Sequence, residues 1–477
     1  MGGENRPLVV AEEGRPVSAT PPAPSSGSSG GWKGLIALLS LSLCGLLWLN
    51  GLQQSLERPS VNDALSLRQL ELAVEAETVL PPAIAGGLGE DKPRDTLAKE
   101  LKKAVEASSG PPQPERALEL ALLEGGASGR SRLEALQTQV PPEQRELVTA
   151  LQATDTLDQQ RVELLLAPWP LSPLTRQLAC QQLLAQSALC VAPGAGQAAL
   201  ARWLAVSLGP VLLLVIGSIL LLGELWRRWR RTAPPLPAVQ GPPLGLVDVT
   251  ILIAGGFVVL GELFVPQLLI PLVQALLAPL ASRPALAQGL QVLLLYAGLM
   301  EAPLLILAAL LRPLGQPPAG GWLQWRWRPA GSALGLALGH VLMVLPLVAL
   351  SGWLMEQLWK NPSGSNPLLE LVLSTGDPLA LTTLALTATV LAPLFEETLF
   401  RGVLLPVLGQ RWGRGWGVVV SALTFGLAHL SLGELTPLVV LGLALGWLRL
   451  RSGRLAPCVL MHGLWNGLTF LNLVLLA

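Results

Sequence analysis

Residues 391–408 read LAPLFEETLFRGVLLPVL, an apolar stretch interrupted by two adjacent acids and one arginine. A run of about 20 apolar residues is long enough to cross a lipid bilayer as a helix. An ionisable side chain within such a helix costs roughly 3 kcal/mol, so Glu396, Glu397 and Arg401 each need a partner or a task. The stretch therefore predicts a membrane helix that carries a buried polar site.

The rest of the sequence is also apolar. Of the 477 residues, 51% are hydrophobic and 13% are charged, and the mean hydropathy of +0.52 is typical of membrane proteins. After a first apolar run at 34–50, further runs lie at 204–225, 248–272, 286–311, 331–354, 379–408, 416–432, 436–450 and 456–476. Residues 203–477 are therefore predicted to form an all-α polytopic transmembrane helix bundle in a lipid bilayer. About nine spans are expected in the chain, eight of them in the core.

The N-terminal part of the chain has a different composition. Residues 1–33 are rich in Pro, Gly and Ser and predict a disordered tail. The run 34–50 lacks a small-residue cleavage site, so it is predicted to remain as a transmembrane anchor. Residues 51–202 combine helical spacing with many charges and predict a helical soluble domain. Within it, Cys180 and Cys190 can pair if the domain lies in an oxidising compartment.

Basic residues cluster at alternate connections between the apolar runs. One set of connections contains Arg227, Arg228, Arg230, Arg231, Arg312, Arg326, Arg328, Arg411, Arg414, Arg449, Arg451 and Arg454, whereas the short connections between them contain only Arg283 and Lys360. Because basic loops stay in the cytoplasm, this alternation predicts a cytoplasmic N-terminus and an extracytoplasmic location for residues 51–202. The formal net charge is zero, which argues against nucleic acid as a partner.

The two acids of the opening stretch lie on different faces of their helix. At about 100° per residue, Glu397 and Arg401 are one turn apart and can form an ion pair, whereas Glu396 points elsewhere. We therefore interpret Glu397 and Arg401 as structural support, and Glu396 as a base that faces a polar cavity.

Two histidine motifs follow in the next apolar runs. FGLAH places Phe425 and His429 on one face of a helix. Glu396 lies 16 residues before Trp412 and His429 lies 16 residues after Gly413, so a turn between Trp412 and Gly413 would bring both to the same depth.

The last apolar run contains HGLWN, which places His462 and Asn466 one turn apart on a single face. Both side chains can donate into one pocket, which gives two chemical alternatives. A carboxylate and an imidazole can activate a water molecule while His462 and Asn466 stabilise an oxyanion. Alternatively, Glu396, His429 and His462 can bind zinc and leave an open position for water. Spacing does not decide between the two.

EETLFR, FGLAH and HGLWN resemble the EExxxR, FxxxH and HxxxN motifs of the CPBP family, the CAAX protease and bacteriocin-processing intramembrane peptidases. They occur in the family's order, and the resemblance covers approximately residues 248–477. It implies that Glu396 activates water with His429 as its partner, and that His462 and Asn466 stabilise the oxyanion. The resemblance favours a metal-independent glutamate mechanism over a metalloprotease.

The sequence therefore predicts an endopeptidase that hydrolyses a membrane-associated polypeptide, with its motifs at 396–466. The alternative is a non-proteolytic membrane scaffold or assembly factor that retains the fold. A transporter would need paired broken helices or inverted repeats, and the sequence shows neither. His340, Glu262 and Glu301 also lie in apolar runs, but they match no motif and are predicted to be structural.

Overall fold

The computed structural model describes residues 30–57, 61–79, 92–107, 113–153, 156–184, 186–358 and 367–477. Throughout these ranges the regular structure is helical, apart from an isolated β-bridge between Leu157 and Leu184. The predicted all-α fold is confirmed. In chain order the helices are α1 (Gly30–Glu57), α2 (Val61–Ala76), α3 (Pro93–Ala107), α4 (Pro114–Glu124), α5 (Gly126–Gln137), α6 (Pro142–Ala153), α7 (Gln159–Leu166), α8 (Pro173–Leu183), α9 (Ala195–Trp229), α10 (Leu246–Leu280), α11 (Pro284–Leu311), α12 (Ala330–Leu358), α13 (Pro367–Ser374), α14 (Pro378–Trp412), α15 (Arg414–Ala428), α16 (Leu432–Ser452) and α17 (Ala456–Leu476).

Eight of the described helices are long and apolar enough to cross a membrane: α1, α9, α10, α11, α12, α14, α16 and α17. The protein is an integral multi-pass membrane protein. The predicted span 416–432 corresponds to the shorter α15, whose 15 residues reach about 22 Å, less than a bilayer core of about 30 Å. It ends early because Leu430 adopts a left-handed backbone with φ 51°. The Ser431 hydroxyl then caps α16 by accepting from the Glu434 N–H.

The predicted tail 1–33 falls largely outside the described residues, but its end does not agree with the structure. The first helix already begins at Gly30, and it continues beyond the predicted anchor 34–50 to Glu57. An ion pair of 3.0 Å between Lys33 and Asp248 of α10 holds its first turn, a contact that composition does not reveal.

Helices α2 to α8 form the domain that precedes the membrane bundle. Its core is built from apolar side chains of α4 to α8, among them the fully buried Leu118, Leu147 and Leu151. Cys180 and Cys190 are joined by a disulfide bond. The pairing that the sequence left open is therefore present in the structure.

Two close helix contacts determine the position of the polar site. The turn between α14 and α15 lies at Gly413, as predicted, where φ is 91°. A Cβ atom on Gly417 of α15 would lie 2.8 Å from the backbone of Gly409, so these helices pack with their backbones close together. Likewise, a Cβ on Gly463 would lie 2.6 Å from the Thr389 carbonyl oxygen, so α17 lies directly against α14 beside His462. Glycine at both positions permits an approach that any larger residue would prevent.

Segments outside the region of the motif resemblance also contact these helices. On α1, the Ser55 hydroxyl accepts a hydrogen bond of 3.0 Å from the Leu432 N–H, directly after the turn that contains His429. On α2, Arg68 donates to the carbonyl of Ala477 at 3.1 Å, and Arg202 of α9 donates to that of Leu475 at 2.7 Å. Helices α1, α2 and α9 therefore contact the turn after His429 and the C-terminal end of α17, the helix that carries His462.

Candidate active site

Glu396 lies at mid-length in α14, between two stretches where the helix widens to π-type turns, 387–391 and 398–404. Its side chain is only 11% exposed. Carboxylate oxygen Oε1 accepts a hydrogen bond of 3.1 Å from the Tyr296 hydroxyl on α11. The other oxygen, Oε2, is buried and has no hydrogen-bond partner among the described residues. Widened turns often accompany functional sites because they redirect side chains out of the regular helical register.

Both motif histidines turn Nε2 towards this free oxygen. The distances to Glu396 Oε2 are 3.8 Å from His429 Nε2 and 3.9 Å from His462 Nε2. Each gap is too long for a direct hydrogen bond, but a small reactant could bridge it. The predicted convergence of α14, α15 and α17 on one buried point is therefore present in the fold.

A hydrogen bond at Nδ1, the ring nitrogen that faces away from Glu396, fixes the orientation of His429. Its Nδ1 lies 2.8 Å from the Phe425 carbonyl oxygen. Because a carbonyl can only accept, Nδ1 carries the proton, and in the neutral ring Nε2 is left with a lone pair. His429 therefore presents a proton acceptor to Glu396 and to any molecule between them.

Glu397 has two partners at one oxygen. Its Oε1 lies 2.8 Å from Arg401 Nη1 and 2.9 Å from His462 Nδ1, and the Glu397 and Arg401 side chains are both completely buried. The predicted ion pair is confirmed, but Glu397 also orients His462, which spacing along one helix did not predict. The ionised partner of Arg401 can only accept, so His462 Nδ1 donates to it. Donation from Nε2 as well would require the imidazolium form of His462.

Phe425 packs against both histidines and against the arginine. Its ring centroid lies 4.8 Å from that of His429 and 5.6 Å from that of His462, and the Arg401 Cζ atom is 4.4 Å from it. Arg401 also donates to the Gly442 carbonyl of α16 at 3.2 Å. Phe425 thus contacts both histidines and the arginine, so a single ring packs against all three side chains.

Asn466 shares a helix face with His462, but its side chain is already hydrogen-bonded to another helix. Its amide nitrogen donates a hydrogen bond of 2.8 Å to the Ala388 carbonyl, within the widened turn 387–391 of α14. One of its two N–H groups is therefore used to hold α17 against α14, and the second is the one that can face a reacting group.

The three side chains of the alternative zinc set lie too far apart to share a metal ion. Within the described residues, no three His, Cys, Asp or Glu side chains are arranged to hold a metal ion. Ligands about 2.0 Å from a tetrahedral zinc lie roughly 3.3 Å from one another. The separations of 3.8 Å and 3.9 Å between Glu396 Oε2 and the two histidines are longer. As arranged here, Glu396, His429 and His462 do not fit a zinc site.

Two further polar residues, which belong to none of the three motifs, lie near the site. Tyr296, the only tyrosine in the chain, holds Glu396 from α11. Glu262 of α10 interacts electrostatically with Glu396, although its sequence context predicted a structural role. In the sequence, Glu262 could have been recognised as a candidate because it is an acid within an otherwise apolar run. By contrast, Glu301 is exposed, and the His340 ring bonds the Leu336 carbonyl within its own helix at 2.7 Å.

The helices that carry the site are similar in sequence to a known family. Residues 378–468 match the family described as type II CAAX prenyl endopeptidase Rce1-like, and residues 62–201 match a domain of unknown function, DUF8675. An Escherichia coli protein, described as an uncharacterized 24.3 kDa protein, is 43% identical over 82 residues. That match covers 16% of this chain and 38% of the relative.

No solved structure matches the chain at a significant level. The family match begins at the start of α14 and ends in α17, so it contains all three motifs and the four predicted catalytic residues, Glu396, His429, His462 and Asn466. Residues 378–468 are therefore similar to the Rce1-like type II CAAX prenyl endopeptidases, in agreement with the resemblance of the motifs to the CPBP intramembrane peptidases.

Proposed function

We propose that this protein is an intramembrane endopeptidase that hydrolyses a peptide bond of a membrane-associated polypeptide with water activated by Glu396. The observation that carries the proposal is the convergence of three reactive atoms. Glu396 Oε2, free of hydrogen bonds within the described residues, faces the Nε2 atoms of His429 and His462 at 3.8 Å and 3.9 Å. This arrangement lies inside a domain of an endopeptidase family.

In the proposed reaction, Glu396 Oε2 accepts a proton from a water molecule held between it and His429. The water oxygen attacks the peptide carbonyl carbon, and the carbonyl oxygen becomes an oxyanion. Collapse of this intermediate breaks the C–N bond, and the proton held by Glu396 passes to the leaving amine. The products are a carboxyl group and an amine, so one water is consumed and no other reactant is needed.

His462 and Asn466 are proposed to stabilise the oxyanion. For His462 this role requires a proton on Nε2, while Nδ1, 2.9 Å from Glu397 Oε1, fixes the orientation of the ring. Asn466 contributes its remaining N–H group. Donors that are already oriented before the reaction stabilise a developing negative charge most effectively.

The membrane arrangement defines the class of substrate. The site is built from membrane helices, so a substrate must be a polypeptide that enters or lies against the bilayer. We also propose that the N-terminus is cytoplasmic and that residues 51–202 lie outside the cytoplasm. The basic connections support this orientation, and so does the Cys180–Cys190 disulfide, because disulfides persist in oxidising compartments.

Cleavage without a metal ion is the first expected result. The purified protein should cleave candidate substrates after strong chelation and exchange into metal-free buffer, because no metal-binding set is assembled around Glu396. Two substrate classes should be compared: single-span membrane peptides and a prenylated C-terminal peptide of the kind named in the family description. Mass spectrometry of products formed in ¹⁸O-labelled water would locate the hydrolysed bond.

Loss of cleavage on chelation, with recovery on adding zinc, would contradict the metal-independent mechanism. Binding of a membrane peptide without hydrolysis, under every condition that keeps the protein folded, would favour the non-proteolytic scaffold.

Tyr296→Phe is expected to lower kcat about tenfold while leaving the fold intact. The change removes only the hydroxyl that donates to Glu396 Oε1 at 3.1 Å, a bond that turns Oε2 towards the histidines. Hydrogen bonds to a charged group are worth about 1.5–3 kcal/mol, enough for such an effect. Cleavage kinetics and thermal melts of the two proteins would check it. A Phe variant with unchanged kcat and an unchanged pH profile would show that Tyr296 is only a packing residue.

A further inference from the structure

Three arginines from two helices converge on one carboxylate at the end of α9. Glu224 forms ion pairs with Arg227, with Arg228 at 2.6 Å and with Arg451 of α16 at 2.9 Å. The Glu224 side chain is 9% exposed, whereas the Arg227 side chain is 54% exposed. These four residues are called the arginine cluster below.

The cluster carries an excess of positive charge. Three guanidinium groups and one carboxylate leave a net charge of +2 (3 − 1), and none of the three arginines forms an ion pair with another acid in the described ranges. Arg228 also lies over the Trp447 ring, with Cζ 4.3 Å from the ring centroid, a contact that adds no negative charge. One arginine is enough to neutralise the Glu224 carboxylate and join α9 to α16. Two positive charges are therefore left for another partner.

The surface beside the cluster is apolar and exposed. Leu222, Leu225, Trp226 and Trp229 of α9 line a shallow groove around Gly223, and all four side chains are exposed. They lie at the end of a 35-residue helix with the hydropathy of a membrane span. Tryptophan side chains at such a position sit at the level of the lipid head groups, and the leucines face acyl chains.

We propose that the arginine cluster binds the head group of an anionic phospholipid, and that a diphosphatidyl lipid, which carries two phosphodiesters, is the preferred ligand. Its two negative charges match the net charge of +2, and its acyl chains cover the exposed face of α9. Guanidinium groups bind phosphate oxygens in paired hydrogen bonds, and Glu224 holds the guanidiniums on one side of the helix pair. The site uses none of the residues around Glu396, so the inference does not depend on the proposed peptidase activity.

The test uses the purified full-length protein in detergent, titrated with diphosphatidylglycerol, phosphatidylglycerol or phosphatidylcholine. Pyrophosphate serves as a lipid-free anion with two phosphate groups. Native mass spectrometry counts bound lipid, and each variant's melting temperature is compared with its own lipid-free value. The wild type should bind diphosphatidylglycerol most tightly, phosphatidylglycerol less tightly and phosphatidylcholine weakly. Arg227→Gln and Arg451→Gln should each weaken diphosphatidylglycerol binding about fivefold, because a basic residue at a membrane surface contributes about 1 kcal/mol.

Arg411→Gln is the matched control, since it removes an exposed arginine at the end of α14 that is outside the cluster. It should bind the lipid like the wild type. Equal binding of phosphatidylcholine and diphosphatidylglycerol would overturn the proposal, as would equal losses in Arg411→Gln and the two cluster variants. Pyrophosphate that binds as tightly as the lipid would also overturn it, because the site would then recognise free phosphate.

Discussion

Replacing Glu396 by glutamine is expected to abolish peptide cleavage, by at least about 100-fold, while the protein remains folded and inserted in the membrane. A positioned general base typically contributes 10²–10⁴-fold to a reaction rate, so roughly that factor should be lost. Glutamine has nearly the same shape and can still accept the Tyr296 hydroxyl bond that Oε1 accepts at 3.1 Å. Its nitrogen, however, cannot take a proton from water. Substrate binding should therefore survive, and the loss should fall on kcat.

Glu301→Gln is the matched control, because Glu301 is also an acid on an apolar helix but is exposed and lies outside the site. Thermal melts, membrane insertion and cleavage rates would be measured for both variants and the wild type. A Glu396→Gln variant that cleaves at a near-normal rate would rule out Glu396 as the base. A variant that unfolds would instead assign Glu396 a structural role.

Glu397→Gln is expected to lower both stability and the activity of the protein that still folds. The change leaves the Arg401 guanidinium buried without a carboxylate, and breaking a buried ion pair costs about 3–5 kcal/mol. That is a large part of the roughly 5–15 kcal/mol that stabilises a typical domain. It also replaces the carboxylate oxygen that lies 2.9 Å from His462 Nδ1, so the ring that is proposed to stabilise the oxyanion loses its charged hydrogen-bond partner.

Arg401→Lys separates these two effects. It disturbs the same buried pair but keeps the contact between Glu397 and His462. Both variants should melt at a lower temperature than the wild type. Per folded molecule, Arg401→Lys should retain most of the activity, whereas Glu397→Gln should lose about tenfold or more. Equal activity per folded molecule in the two variants would show that Glu397 acts only through stability.

Features that depend on local geometry can be predicted from the sequence alone. In a bilayer every backbone polar group must be satisfied within its own segment, so long apolar runs had to become helices. Regular helical spacing predicted the ion pair of Glu397 with Arg401, which the structure contains at 2.8 Å. Equal distances from the turn at Gly413 brought Glu396 and His429 to one depth, and their side chains lie 3.8 Å apart.

Contacts between helices, by contrast, become visible only in the folded protein. His462 of α17 is the second partner of Glu397, and the Tyr296 hydroxyl of α11 donates to Glu396. Asn466 donates to the Ala388 carbonyl in a widened turn of α14. None of these follows from spacing along one helix, because each depends on how far neighbouring helices rotate and how closely they approach. Gly463 illustrates the point, since its missing side chain lets α17 reach the backbone of α14 beside His462. Helix periodicity predicts which residues share a face of one helix. Packing between helices determines which groups of the neighbouring helices that face contacts.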